Sequence, residues 1–369
     1  MRILYLNYEF PPIGGGASPA SYEIAKEYVA LGHQVTVVTM YYHGLPTYEE
    51  VDGIQIYRVK CLRKKVNVSH PYEQFTYLLS AMSFLREHLK NVNYDMCHCH
   101  FLIPTGFLAY WVKKHFKIPY IVTIHGSDVP GYNPDRFQFL HRFTPPILRR
   151  IVEESYRVTS GSVYLIDLLL KNVGNFEEKM IHIPNGIDAN IYVPFSKKPI
   201  IFSSGRLLER KGFQYLIEAV KMEDIGFEVH IAGDGPMRRR LEDLAEGAKT
   251  NVVFHGWLDN TSEKYKRLLG EASIFSLISA KENASVSLLE AMSAACVVVT
   301  SNVSGCPETI GDAGLKIAPE NSLLLKQAFE ELIRNPIKIK ELSSLARDKV
   351  MNDYNWKILT KRYEALLFN

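Results

Sequence analysis

Two glutamates, Glu282 and Glu290, stand in AKENASVSLLEAMSAACVVVTSNVSGCP, the stretch from Ala280 to Pro307. A loop carboxylate followed by a second one inside the next helix can grip two ends of one polar ligand, and sugar and ribose hydroxyls are natural candidates. Spacing alone has little force, because a chain this rich in glutamate yields about two such pairs by chance. Glu263 and Glu271 form the other one. Partners elsewhere in the chain must separate the two.

Arg206 and Lys211 lie in GRLLERKG, residues 205–212, between a strand-like run and a helix-like one. A guanidinium fork, an ammonium point charge and a helix N-terminus suit a diphosphate, the helix end adding about 0.3 to 1 kcal/mol. Gly205 opens that turn, and Gly233 and Gly235, ahead of Pro236, make a second tight turn that can flank a nucleotide base. After Glu282, the residues Asn283, Ala284, Ser285 and Val286 lead into a helix running to about Ala294, with Ser285 suited to cap it. Backbone N–H groups of residues 284–287 then face phosphates, Glu290 holds ribose hydroxyls and Glu282 sugar hydroxyls. Were every step between the two glutamates helical, their carboxylates would lie about 12 Å apart along the axis, the scale of a hexose linked to a nucleoside diphosphate.

Gly14, Gly15 and Gly16 form a strand-to-helix turn where backbone N–H groups can approach an anion. A dinucleotide fingerprint would need glycine where Pro19 stands, and the next strand ends in Thr39-Met40-Tyr41 without a ribose-binding carboxylate. The turn reads instead as a loop that closes over a ligand between two domains. His125 in TIHGSD, beside Gly126 and Asp128, closes a strand and is a site candidate. Cys97-His98-Cys99-His100 resembles a metal box, but strand alternation sends the cysteines to one face and the histidines to the other. No Asp-x-Asp pair occurs, so the expectation is that no metal or other cofactor is required and that phosphate charge is met by Arg206, Lys211 and helix ends.

These residues need strands and helices to hold them. RILYLN, QVTVVTM, IQIYRV, MCHCH, YIVTIHG and YRVTSG read as strands separated by helical patterns near 20–31, 72–90 and 104–114. Alternation of this kind implies a parallel sheet covered on both faces. The pattern restarts after 194–199 with IIFSSG, FEVHIAG, VVFHG, ASIFSLIS, CVVVTS and GLKIA. The expected division is a domain over 1–184 joined by a terminal helix 355–369, a hinge over 185–198 and a second domain over 199–354, with a ligand between the domains at strand carboxyl ends.

The 369 residues, 47% of them hydrophobic, are enough for two cores, and a formal charge of +3 is far from the basic bias of a nucleic-acid binder. No apolar run reaches the roughly 18 residues of a bilayer span, and the first ten residues lack the parts of a signal peptide. An odd set of five cysteines suits a reducing compartment, so a cytoplasmic setting is expected.

PPIGGGA, GH before VTVVT, TIHGSD, IPNGID, GRLLERKG, AGDGP and ENASVSLLEAM before CVVVTSNVSGCPE, in this order and spacing, resemble the family 4 (group 1) retaining glycosyltransferases over essentially the full length. The resemblance implies the α/β fold called GT-B, two Rossmann-like domains facing each other across a cleft with a last helix crossing back. It implies a hexosyl transfer from a nucleoside-diphosphate sugar to a hydroxyl, with Arg206 and Lys211 on the diphosphate, Glu290 on the ribose, Glu282 and His125 at the sugar, and Gly15 and Gly16 near phosphates and acceptor. Attack on the donor's front face needs no protein nucleophile. The family's usual Gly-x-Gly after the first glutamate is here Asn283-Ala284-Ser285.

Two cationic tracts bear on the acceptor: Arg58, Lys60, Arg63, Lys64 and Lys65, and four arginines between Arg136 and Arg150 interleaved with Phe137, Phe139, Phe143, Ile147 and Leu148. Both suit a glycan or lipid-linked acceptor on an anionic membrane surface. A non-hydrolysing sugar-nucleotide epimerase and a non-catalytic sugar-nucleotide-binding protein are the competing readings. Oligomeric state is not legible in these residues.

Overall fold

The computed structural model describes residues 1–132 and 144–368. The chain divides into two units, Met1–Ile183 together with the segment from Trp356 onward, and Pro184–Asn355. Residues 185–198, expected to be a hinge, belong to the second unit. Ile187, Ala189 and Tyr192 are buried in its core, and the Ser293 hydroxyl donates to the Ala189 and Tyr192 carbonyls.

The first unit holds strands β1 (Arg2–Leu6), β2 (Gln34–Met40), β3 (Tyr48–Val51), β4 (Ile54–Val59), β5 (Met96–His100), β6 (Tyr120–Ile124), β7 (Arg157–Ser160) and β8 (Met180–His182). Its helices are α1 (Ala17–Ala30), α2 (Pro71–His88), α3 (Phe107–Phe116), α4 (Pro145–Glu154) and α5 (Val163–Val173). The sheet order is β3-β4-β2-β1-β5-β6-β7-β8, parallel except for the antiparallel β3–β4 pair. Alternation along β1 decides the layers: Ile3 and Tyr5 join a core with α1, while Leu4 and Leu6 join one with α2, α3, α4 and α5. The same rule sorts β5, with Cys97 and Cys99 in the second core and the His98 and His100 rings against Tyr5.

The second unit holds β9 (Lys198–Ser204), β10 (Glu228–Ala232), β11 (Val252–Gly256), β12 (Ala272–Leu277), β13 (Val297–Ser301) and β14 (Gly314–Ile317). With them come α6 (Phe213–Lys221), α7 (Arg238–Ala245), α8 (Glu263–Glu271), α9 (Val286–Ser293), α10 (Cys306–Ile310), α11 (Ser322–Ile333) and α12 (Pro336–Asp353). All pairs are parallel in the order β11-β10-β9-β12-β13-β14. The order reverses between β9 and β12, and in the first sheet between β1 and β5. In open sheets the crevice at such a switch point, beyond the strand carboxyl ends, is where ligands bind.

The last helix, α13 (Trp356–Phe368), returns to the first unit, burying Trp356, Leu359, Tyr363 and Leu367 in the core that contains α1. A helical stripe at this spacing stabilises the helix by packing more than by propensity. Among the described residues, no helix is long and apolar enough to cross a membrane.

Candidate functional site

In the second unit the turns at the strand carboxyl ends are locked to one another by backbone hydrogen bonds. Gly205 N donates to Ala232 O at 3.0 Å, Leu207 N to Asp234 O at 2.9 Å, Gly233 N to Gly256 O at 2.8 Å and Ala280 N to Arg210 O at 2.8 Å. Such closeness requires glycine: a Cβ on Gly233 (φ +155°) would sit 1.9 Å from Gly205 O, and one on Gly212 (φ +76°) 2.0 Å from Ile278 O. Gly235 crowds the Leu207 backbone in the same way. These glycines thus hold the loops that carry the candidate side chains Arg206, Lys211 and Glu282.

Lys211 ends a short helical turn, Glu209–Lys211, directly before Gly212 and α6. Its Nζ donates to Glu282 Oε1, with only 17% and 11% of the two side chains exposed. The pair spans the switch point, Lys211 following β9 and Glu282 following β12. Gly305 N binds Glu282 O at 3.0 Å, fixing the loop from the far side. Arg206 is exposed at the start of the same turn.

Glu290, on α9, is buried and accepts from the Tyr192 hydroxyl at 3.1 Å, Asn260 Nδ2 at 2.8 Å and the Tyr265 hydroxyl at 2.7 Å. Burial pushes its carboxyl above the usual range, and the three hydrogen bonds pull it back. Three bonds occupy three of about four acceptor positions on the carboxylate, leaving one. Sequence reasoning missed Tyr192, Asn260 and Tyr265. The other glutamate pair forms no comparable centre: Glu263 is 92% exposed beside Lys266, and Glu271 pairs with Lys198 and Arg267.

Ser285 occupies the position before α9 but makes no side-chain cap, its hydroxyl lying 3.0 Å from Ser287 Oγ. The expected cap is therefore corrected. Asn283, Ala284 and Val286 are half-buried, and Ala284 O accepts from Asn185 Nδ2 at 3.0 Å.

In the first unit, His125 follows β6, and its Nε2 lies 2.8 Å from Nδ1 of His100. Asp128 spends its carboxylate on backbone: Oδ1 accepts from His125 N at 3.1 Å and Gly126 N at 2.9 Å, and Oδ2 from Leu102 N at 2.9 Å. It ties the loop after β6 to the one after β5. Gly15 and Gly16 are exposed ahead of α1, and Gly15 N donates to Glu9 Oε2 at 3.1 Å.

Burial lowers His98 and His125 to about 3 and His100 well below its ordinary value. The unfolded chain therefore takes up protons below about pH 6.5 that the folded unit refuses. The stability these neutral rings confer is complete above that pH and is lost as the pH falls toward 3, by up to roughly 1.4 kcal/mol per unit for each ring. Asp128, raised by burial, acts with the opposite sign. The thermal midpoint of the first unit is expected to fall between pH 7 and pH 5, and a midpoint that stays level would contradict the buried neutral rings.

Of the first cationic tract only Lys60, Lys64 and Lys65 are exposed. Arg58 and Arg63 are buried, Arg58 on Glu49 and Arg63 at 3.7 Å from Glu9, so the expectation of five surface cations is corrected. In the second tract Arg136, Phe137, Phe139, Arg142 and Phe143 lie outside the described residues. Arg149 covers the Phe176 ring, Arg150 pairs with Glu153, and Leu148 is buried.

The family description "Glycosyl transferases group 1" matches residues 187–349, and "Glycosyltransferase Family 4" matches residues 14–191. An uncharacterised glycosyltransferase of Methanocaldococcus jannaschii is 29% identical, the match covering 98% of this chain and 96% of that protein. Sucrose-phosphate synthase from Thermosynechococcus elongatus superposes with a TM-score of 0.84 at 18% identity, covering 99% of this chain and 98% of that one. HepE of Anabaena, solved in complex with UDP-glucose, gives 0.76 at 17% identity, covering 100% and 99%. At such identities the structural likeness speaks for the fold alone. The two family matches make this chain a member of the family 4 (group 1) glycosyltransferases, and the structural likeness gives it the GT-B fold.

Proposed function

We propose that this glycosyltransferase moves a hexosyl unit from a nucleoside-diphosphate sugar to a hydroxyl of a glycan or lipid-linked acceptor in glycan biosynthesis, with retention of anomeric configuration and without a metal ion. The observation that carries the reading is the Lys211–Glu282 pair at the switch point of the second sheet, with Glu290 on the helix that follows. A bound donor takes Lys211 and the exposed Arg206 as counter-charges for its diphosphate, which supports metal independence. Glu290 offers its remaining acceptor position to a ribose hydroxyl, and Glu282 faces sugar hydroxyls. Retention rests on the family likeness. The HepE complex with UDP-glucose supports a nucleotide-sugar donor of this kind.

The test is transfer from a panel of nucleoside-diphosphate hexoses in the presence of a chelator, with the product's anomeric configuration read by NMR. Retained configuration at undiminished rate is expected; inversion, or loss of turnover on chelation, would overturn that part of the reading. Isomerisation of the donor without acceptor would favour the epimerase instead.

A membrane-borne acceptor is supported by one surface of the first unit. On α2, Tyr72, Phe75 and Leu79 are exposed at helical spacing, beside exposed Leu62 and the three lysines. Leu62 N donates to Thr76 Oγ1 at 3.1 Å, Lys64 N donates to Glu73 Oε1 at 3.0 Å, and Lys64 Nζ lies over the Tyr72 ring, which makes loop and helix one surface. Each lysine adds about 1 kcal/mol on an anionic bilayer, and the apolar stripe can enter the interface. The chain is expected to co-sediment with vesicles containing phosphatidylglycerol at low salt, and to do so less after Phe75→Ser with Leu79→Ser; absence of sedimentation would sink this surface as a docking site.

A further inference from the structure

His100 belongs to the histidine run that the proposed function leaves unused. It ends β5, is fully buried, and puts Nδ1 2.8 Å from His125 Nε2, with ring centroids 5.1 Å apart. Its other nitrogen, Nε2, is buried without a hydrogen-bond partner among the described residues. Tyr5 lies 4.8 Å away on centroids, and His98 stacks at 4.7 Å. His98 is itself held by the Tyr28 hydroxyl at 3.2 Å and Thr123 Oγ1 at 2.8 Å. The His100 ring is thus packed between the Tyr5 and His98 rings, neither of which bonds its Nε2.

Burial keeps both His100 and His125 neutral, so each ring carries one proton. Two nitrogens 2.8 Å apart share a hydrogen bond only if one is protonated and the other bare. If His125 Nε2 were the donor, the proton of His100 would sit on its Nε2 and be buried with no acceptor. Orphaned buried N–H groups are rarer than under-satisfied acceptors, and leaving one unmade is costly. The opposite arrangement leaves only a bare lone pair on Nε2.

We infer that His100 is a positioning residue: its Nδ1–H donates to His125 Nε2 and holds His125 as the tautomer protonated on Nδ1. Held in this way, His125 meets the reaction as a neutral hydrogen-bond donor rather than as a cation or a general base. This consequence rests on the proposed placing of His125 at the donor sugar, whereas the tautomer does not. The wrong tautomer in an otherwise intact site is known to be severe for catalysis, which sets the scale of the effect.

The experiment is 15N NMR of the histidine-labelled full chain without substrate, with the His125 signals assigned by their loss in His125→Gln. His125 is expected to be protonated on Nδ1, and finding its proton on Nε2 would overturn the inference whatever the variants do. In His100→Phe, which keeps a ring and removes the donor, the His125 tautomer is expected to shift and transfer to drop at least about tenfold. His100→Asn, whose amide N–H can replace Nδ1–H, is expected to restore both. An unchanged His125 spectrum in His100→Phe overturns the positioning role. A shifted tautomer with parental transfer leaves that role standing and overturns the placing of His125 at the sugar.

Discussion

Lys211→Ala is expected to lower glycosyl transfer by at least about 10²-fold, and Glu282→Ala by a similar factor, with the donor still bound. As the bond to the sugar breaks, negative charge grows on the leaving diphosphate, and a fixed ammonium beside it is worth most at that moment. Lys211 is already placed: its turn is tied to the Glu282 loop through Ala280 N and Arg210 O, and its side chain is shielded on Glu282. Little has to reorganise when the donor arrives, which is where electrostatic preorganisation gains its effect. The pair also has a structural side. Removing one partner of a largely buried ion pair leaves the other uncompensated, so part of the loss can come from a disturbed loop. The double variant separates the two effects, because Lys211→Ala with Glu282→Ala removes both charges together. Stability is expected to recover toward the parent in the double variant while transfer stays low. Turnover within tenfold of the parent in either single variant, with donor and acceptor confirmed, would sink the assignment.

Six of the first sheet's eight strands and all six of the second were legible because parallel strands buried on both faces read as continuous apolar runs punctuated by glycine, whereas the mostly exposed β3 and the short, half-buried β8 carry no such run. Gly212, Gly233 and Gly235 lie in the turns where the sequence put them, and α13 falls within the terminal helix expected over 355–369. What escaped was pairing across distance. Glu290 finds its partners 98, 30 and 25 residues away, Tyr192 on one stretch and Asn260 with Tyr265 on another, and the two share no motif. Arg58 and Arg63 looked like surface charge because a run of cations carries no sign of Glu49 or Glu9, which fold back onto them. Ser285 has the right type for a cap, but its hydroxyl lies against Ser287 instead, a choice made by local rotamers that no spacing encodes. Within 185–198, the expected hinge, the burial of Ile187, Ala189 and Tyr192 in the second unit's core was not legible.

Glu290→Gln is expected to leave the second unit folded and to weaken donor binding by about 10- to 100-fold, the value of one hydrogen bond to a charged group. The amide can keep its oxygen toward Tyr192 and Asn260, both of which donate. Its NH2 then faces Tyr265, whose hydroxyl can turn to accept, since Ser204 Oγ lies 2.8 Å away to take the phenolic proton. Folding therefore loses only about 1 kcal/mol. Glu290→Leu differs in kind. It leaves the buried Tyr192 hydroxyl without its acceptor, while the Tyr265 hydroxyl can turn to Ser204 Oγ and the exposed Asn260 amide to water, so urea unfolding is expected to register a loss of roughly 1 to 3 kcal/mol. The contrast isolates the ligand role from the structural one, since glutamine keeps most of the buried network and gives up the negative charge that a ribose hydroxyl seeks. Titration of nucleoside diphosphates into Glu290→Gln decides it: affinity equal to the parent's would make Glu290 a buried anchor for three side chains and remove it from the donor site.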